Sequence, residues 1–150
     1  YEISRTYSTV GDFSQAVQYA DQAIKAEPEN PRFHGNLGVM YYKNNQLSEA
    51  TNQLALAIHG GALQDGTIIE GLPLDYGRVA EFYAIYGLAL AKANRCSEAV
   101  PIFQAILSGV PDDEINTYNA EQGLIVCQEN LGTPAPEEEM TPEPEGDNTN

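Results

Sequence analysis

Apolar residues recur three and four positions apart along this chain, in blocks separated by short polar stretches, which is the period of amphipathic helices. The pattern predicts helices over 14–26, 31–44, 47–59, 80–93, 97–108 and 113–130, with an earlier one in progress over 1–10. Breakers fall between the blocks: Glu27-Pro28 after the first partner helix, Gly60-Gly61 after 47–59, and Gly109-Val110-Pro111 after 97–108. Pro101 is expected in a first helical turn after Ser97, where its missing N–H costs little. Asp112-Asp113-Glu114 place negative charge where the last helix begins, as the helix dipole favours.

The blocks are copies of one pattern. Gly11-Asp12-Phe13-Ser14-Gln15-Ala16, Asn45-Gln46-Leu47-Ser48-Glu49-Ala50 and Asn94-Arg95-Cys96-Ser97-Glu98-Ala99 each read as a polar turn, then an apolar residue, a serine, an acidic or amide residue and an alanine. Ala16 and Ala50 lie 34 residues apart, a period of helix–turn–helix solenoids, and Ala99 follows Ala50 by 49, one period plus 15. Around the second alanine stand Leu37-Gly38, Tyr41-Tyr42-Lys43, Leu54 and Ala57; around the third, Tyr83, Tyr86-Gly87, Phe103 and Pro111. The first copy keeps Tyr7, Gly11, Ala16, Ala20, Ala23 and Pro28. This resembles the tetratricopeptide repeat (TPR) family from Tyr1 to about Asn130, the insertion apart. Departures are His34 where a tryptophan is usual, Ala62 in place of the closing proline, and Ile106 in place of a small residue.

The resemblance implies an all-α, right-handed superhelical solenoid of about three TPR hairpins plus a C-terminal helix. One TPR domain would span 1–131, with units over about 1–30, 31–64 and 80–113 and a final helix over 113–130. The insertion at 65–79 carries Ile68, Ile69, Leu72, Leu74 and Tyr76. It is expected as a small hairpin around Glu70-Gly71 or as a packed loop, and either as a recognition element or as cover for neighbouring helices. Pro73 would confine any strand there to an edge.

Charge changes the picture of the ends and of the partners. The net charge is −15, and Glu137, Glu138, Glu139, Glu143, Glu145 and Asp147 place −6 of it in the segment 132–150. With Pro134, Pro136, Pro142 and Pro144 among those acids, that tail is expected to be disordered, as a spacer or a linker. An acidic body without a basic patch repels phosphate backbones, so nucleic acid is excluded as a partner. No apolar run reaches the length of a membrane span. No signal peptide is visible, and the start inside a helical pattern leaves room for an upstream segment.

Catalytic chemistry finds little to stand on. His34 and His59 are the only histidines, one at a packing position and one at a helix C-terminus. No nucleophile motif, metal-ligand spacing or phosphate loop occurs, so no enzyme activity, metal or cofactor is expected. In the solenoid that the resemblance implies, Cys96 and Cys127 fall side by side at one edge. They are expected either as a disulfide, which implies an extracytoplasmic home, or as buried thiols in the cytosol.

The resemblance also implies a concave groove. Its exposed positions would be Tyr1, Arg5, Ser8 and Thr9, then Arg32, Asn36, Val39, Tyr42 and Lys43, then Glu81, Leu88 and Lys92. Family members that clamp chaperone C-termini use Lys, Asn, Asn, Lys and Arg at five such sites; Tyr1, Arg5, Asn36, Glu81 and Ile85 stand there here, and only Asn36 fits. Two non-catalytic functions follow as expectations. One is self-association of open solenoid ends into a filament or oligomer, with Tyr1, Tyr118, Leu124 and Ile125 as end contacts. The other is a monomeric adaptor that holds a peptide or helix of another protein in the groove.

Overall fold

Two asparagines set the turns inside the repeating units. Asn45 and Asn94 adopt φ of 60° and 66°, the left-handed backbone that asparagine and glycine tolerate best. The next residue then reaches back over the helix end. Gln46 N–H donates to Tyr41 O and Arg95 N–H to Leu90 O, both at 2.8 Å. Carbonyls that a helix terminus leaves open are thereby satisfied. The polar opening of the second and third sequence copies is therefore a helix stop of defined geometry.

The computed structural model describes residues 12–132. The expected helix over 1–10, with Tyr1, Arg5, Ser8 and Thr9, lies outside the described residues, as do the acidic tail from 133 onward and the Leu131 side chain. In chain order the elements are α1 (Phe13–Ala26), α2 (Pro31–Lys43), α3 (Leu47–His59), β1 (Gly61–Ala62), β2 (Ile68–Ile69), α4 (Arg78–Lys92), α5 (Cys96–Gly109) and α6 (Glu114–Gly132). Short polar side chains begin three of the helices. Asp12 accepts from Gln15 N–H at 3.1 Å, Asn30 from Arg32 N–H at 3.0 Å and Asp113 from Asn116 N–H at 3.0 Å, each satisfying an open donor of a first turn.

Packing runs from neighbour to neighbour. Each helix lies against the next in sequence, and α2, α4 and α6 also touch in series. That succession is the solenoid-like arrangement in which no hairpin buries its apolar face alone. The main core joins α3 to α6 through Leu54, Phe82, Leu90, Phe103 and Ile106. A smaller cluster of Ala16, Ala20, Leu37 and Met40 ties α1 to α2. The repeated alanines Ala16, Ala50 and Ala99 are wholly buried, so they are points of close helix approach. The Phe103 ring is gripped between α4 and α6 at Gly87 and Gly123, where an added Cβ would fall inside contact distance of the ring.

Two sequence expectations need correction. Helix α5 starts at Cys96, so Pro101 sits in the second turn and does remove an intrahelical hydrogen bond; it does so on the exposed face. A hairpin does form, but it pairs the insertion with the residues just before it and does not fold around Glu70-Gly71. Its strands are antiparallel Gly61–Ala62 and Ile68–Ile69, with Gly61 opposite Ile69 and Ala62 opposite Ile68.

Candidate functional site

The insertion is held by its backbone. Gly60 ends α3 with φ of 73°, a turn that suits glycine. Gly71 lies so close to the Ile58–Gly60 backbone that a Cβ there would collide with it. Leu72 N–H donates to Ala57 O at 2.8 Å, using a carbonyl of the last α3 turn. Tyr83 of α4 donates its hydroxyl to Leu72 O at 2.7 Å. Asp65 closes the hairpin loop by accepting from Thr67 N–H at 3.0 Å. Ile69 is buried, and Leu72 and Leu74 pack against the main core. Ile68 and Tyr76 remain open at 66% and 48% exposure.

Burial raises the Tyr83 phenol above its ordinary value, because ionisation would place charge in an apolar setting. A raised folded-state value means this stabilisation is full below about pH 10 and is lost as pH rises beyond it. The ionised phenol also has no proton to give Leu72 O. Tyr83→Phe is therefore expected to cost about 1 kcal/mol at neutral pH and to flatten the loss of stability above about pH 10. Thermal melts on both sides of that pH check it; an unchanged alkaline slope would remove Tyr83 as a contributor.

Helix α6 carries apolar residues on both faces. Ala120, Gly123 and Cys127 are buried against α4 and α5. Cys127 forms a disulfide with Cys96 at the start of α5, with Cα atoms 5.3 Å apart. On the far side Ile115, Tyr118, Ile125 and Val126 are all at least 48% exposed. Val126 was not among the expected end contacts, and its burial pattern belongs to the outer face. Leu124 does not share that face: it packs on the main core. Its position, three residues before Cys127, turns it toward α5 and α4.

The groove positions scatter. Arg32, Lys43 and Lys92 are exposed, Tyr42, Glu81 and Leu88 are half-buried, and Lys92 Nζ stands 4.8 Å above the Tyr42 ring. Asn36 and Val39, expected at the groove surface, are instead buried to 2% and 1% exposure. The reason is crowding: α2 is enclosed by α1, α3 and α4, and every residue from His34 to Met40 is buried. Asn36 accepts from Arg78 Nη2 at 2.6 Å, and Arg78 Nη1 pairs with Glu81 at 2.6 Å. Arg78 thus links α2 and α4. The sequence pattern missed it because the helix was expected to begin two residues later, although Gly77 marks the true start.

Residues 1–62 match the family model for the tetratricopeptide repeat. Over that stretch the chain is similar to the tetratricopeptide repeat family. No curated protein matches it.

The recurring small and large residues act here as packing devices. Gly38 receives the Leu54 side chain in one repeat as Gly87 receives the Phe103 ring in the next. His34 stands where the repeat usually has a tryptophan and is 2% exposed. Its Nδ1 lies 2.8 Å from Gln53 Oε1 and its Nε2 2.8 Å from Pro28 O, so it ties α2 to α3 and to the α1–α2 turn. His59 instead meets the edge of Tyr86, with ring centres 5.6 Å apart. Tetratricopeptide repeats mediate contacts between proteins. Among the described residues, no cluster of three metal-ligating side chains occurs, and no helix is long and apolar enough to cross a membrane.

Proposed function

We propose that the chain is a non-catalytic protein-interaction scaffold that assembles with copies of itself through the outer face of α6. The supporting observation is that face: Ile115, Tyr118, Ile125 and Val126 lie exposed along one side of a helix whose other side is already packed. An apolar stripe of this kind on a repeat helix is normally covered by the next helix of the stack. In this reading the hairpins form a right-handed superhelix through about residue 131, and copies meet head to tail, with Tyr1 in the end contact. A heterologous contact that does not close gives a filament. The acidic tail would project outward and keep assemblies dispersed. The Cys96–Cys127 disulfide supports an extracytoplasmic setting, since such bonds persist in oxidising compartments.

The test is size measurement by light scattering over a wide concentration range. The natural chain is expected to grow in mass with concentration, and Tyr118→Asp with Ile125→Asp to stay monomeric with unchanged helix content. Both side chains are exposed, so the fold does not depend on them. A natural chain that stays monomeric throughout rejects self-association and leaves the adaptor function, with a foreign segment against Arg32, Tyr42, Lys43 and Lys92. Equal assembly by the double variant moves the contact away from α6.

A further inference from the structure

The insertion builds a second surface, independent of α6. Between the α1–α2 turn and the chain leaving β2 lies a cleft of about 520 Å³. Pro31, Ile68, Leu72 and Pro73 give it apolar walls, while Glu29 and Glu70 supply two carboxylates. Both glutamates are exposed, and no hydrogen bond or ion pair engages either of them among the described residues. No basic side chain lines the cleft. Ile68 is left 66% exposed at its rim, although its strand neighbour Ile69 is buried.

One wall is preformed. Leu72 is fixed through both backbone polar groups, by Ala57 O and by the Tyr83 hydroxyl. Gly71 is wedged against the end of α3, and Pro31 and Pro73 hold φ by their rings. Binding in such a cleft requires little ordering of the protein, which lowers its entropic cost.

Apolar walls with two unpaired carboxylates match one kind of occupant: a side chain with an aliphatic stem and a cationic head. We propose that this cleft receives an arginine or lysine side chain of a partner protein, with its stem on Pro31, Leu72 and Pro73 and its head between Glu29 and Glu70. The chain's charge of −15 favours approach of such a basic segment. The long insertion that displaces the third repeat from the regular period is then the element that makes the site.

The test titrates the whole chain with acetyl-Leu-Arg-Leu-amide and follows backbone amide resonances. Saturable shifts are expected at Gly71 and Leu72, weakening with added salt. The neutral isostere acetyl-Leu-citrulline-Leu-amide is expected to bind about tenfold less tightly, and Glu29→Gln with Glu70→Gln to weaken the arginine peptide to a similar degree. The double variant should melt with the natural chain, because neither carboxylate has a partner to lose. No shift at Gly71 and Leu72, equal affinity for the citrulline peptide, or an arginine response untouched by the double variant would each overturn the proposal. None of these outcomes depends on self-association, which the α6 variants report separately.

Discussion

Phe103→Ala is expected to destabilise the fold by about 3–5 kcal/mol, among the largest effects of any single truncation. The ring is fully buried and lies between Gly87 of α4 and Gly123 of α6, with no room for even a Cβ at either glycine. Removing it takes away apolar burial and leaves a cavity whose walls are three helix backbones, which cannot collapse onto one another easily. Urea denaturation of the variant measures the loss. A cost below about 1 kcal/mol would show that the helices close over the gap. The same geometry predicts coupling. Gly123→Ala should be destabilising alone by overpacking and distinctly less so in a Phe103→Leu background, where the ring edge no longer occupies the space. Strict additivity of the two substitutions would mean that they do not share this contact.

Loss of the Cys96–Cys127 bridge is expected to cost about 3–4 kcal/mol by the loop-closure argument, the two residues being 31 apart in sequence. For a domain of this size that lowers the melting temperature by roughly 10–20 °C. The effect should not be uniform. Among the described residues, helix α6 is held by α4 and α5 on one face, and its other face carries exposed Ile115, Tyr118 and Ile125. With the bridge gone, α6 keeps only the packing of that one face, and its amides should exchange with solvent sooner than those of α2 to α4. Melts with and without reductant, or with Cys96→Ser and Cys127→Ser together, test the size of the effect. Hydrogen exchange tests its location. Coincident melts would mean that packing alone fixes α6.

Much of the fold was legible because its signals are local. Asn45 and Asn94 end helices through a backbone conformation that few residue types accept, so their recurrence marked the turns. Alanine and glycine at fixed offsets marked the close helix contacts, and Phe103 with Leu54 marked what fills them. The insertion was legible only in part. Ile68-Ile69 carries a strand signal, but its partner Gly61-Ala62 carries none, so the true hairpin could not be read from residue type. The expected groove and end-contact positions were harder still. Asn36 and Val39 occupy groove positions by counting, yet α1, α3 and α4 converge on α2 and bury them. Leu124 reads like Ile125 in sequence and differs from it by one helical step, which is the difference between core and surface.

By itself the sequence determined the helical units, where their turns fall and the acidic balance of the chain, since periodicity, left-handed turn residues and formal charge depend only on near neighbours and composition. Tertiary structure decided three further things: that Cys96 meets Cys127, that Leu72 is clamped between Ala57 and Tyr83, and that Glu29 comes to share a cleft with Glu70. Each joins residues distant along the chain, and such meetings follow from how helices stack rather than from any local preference.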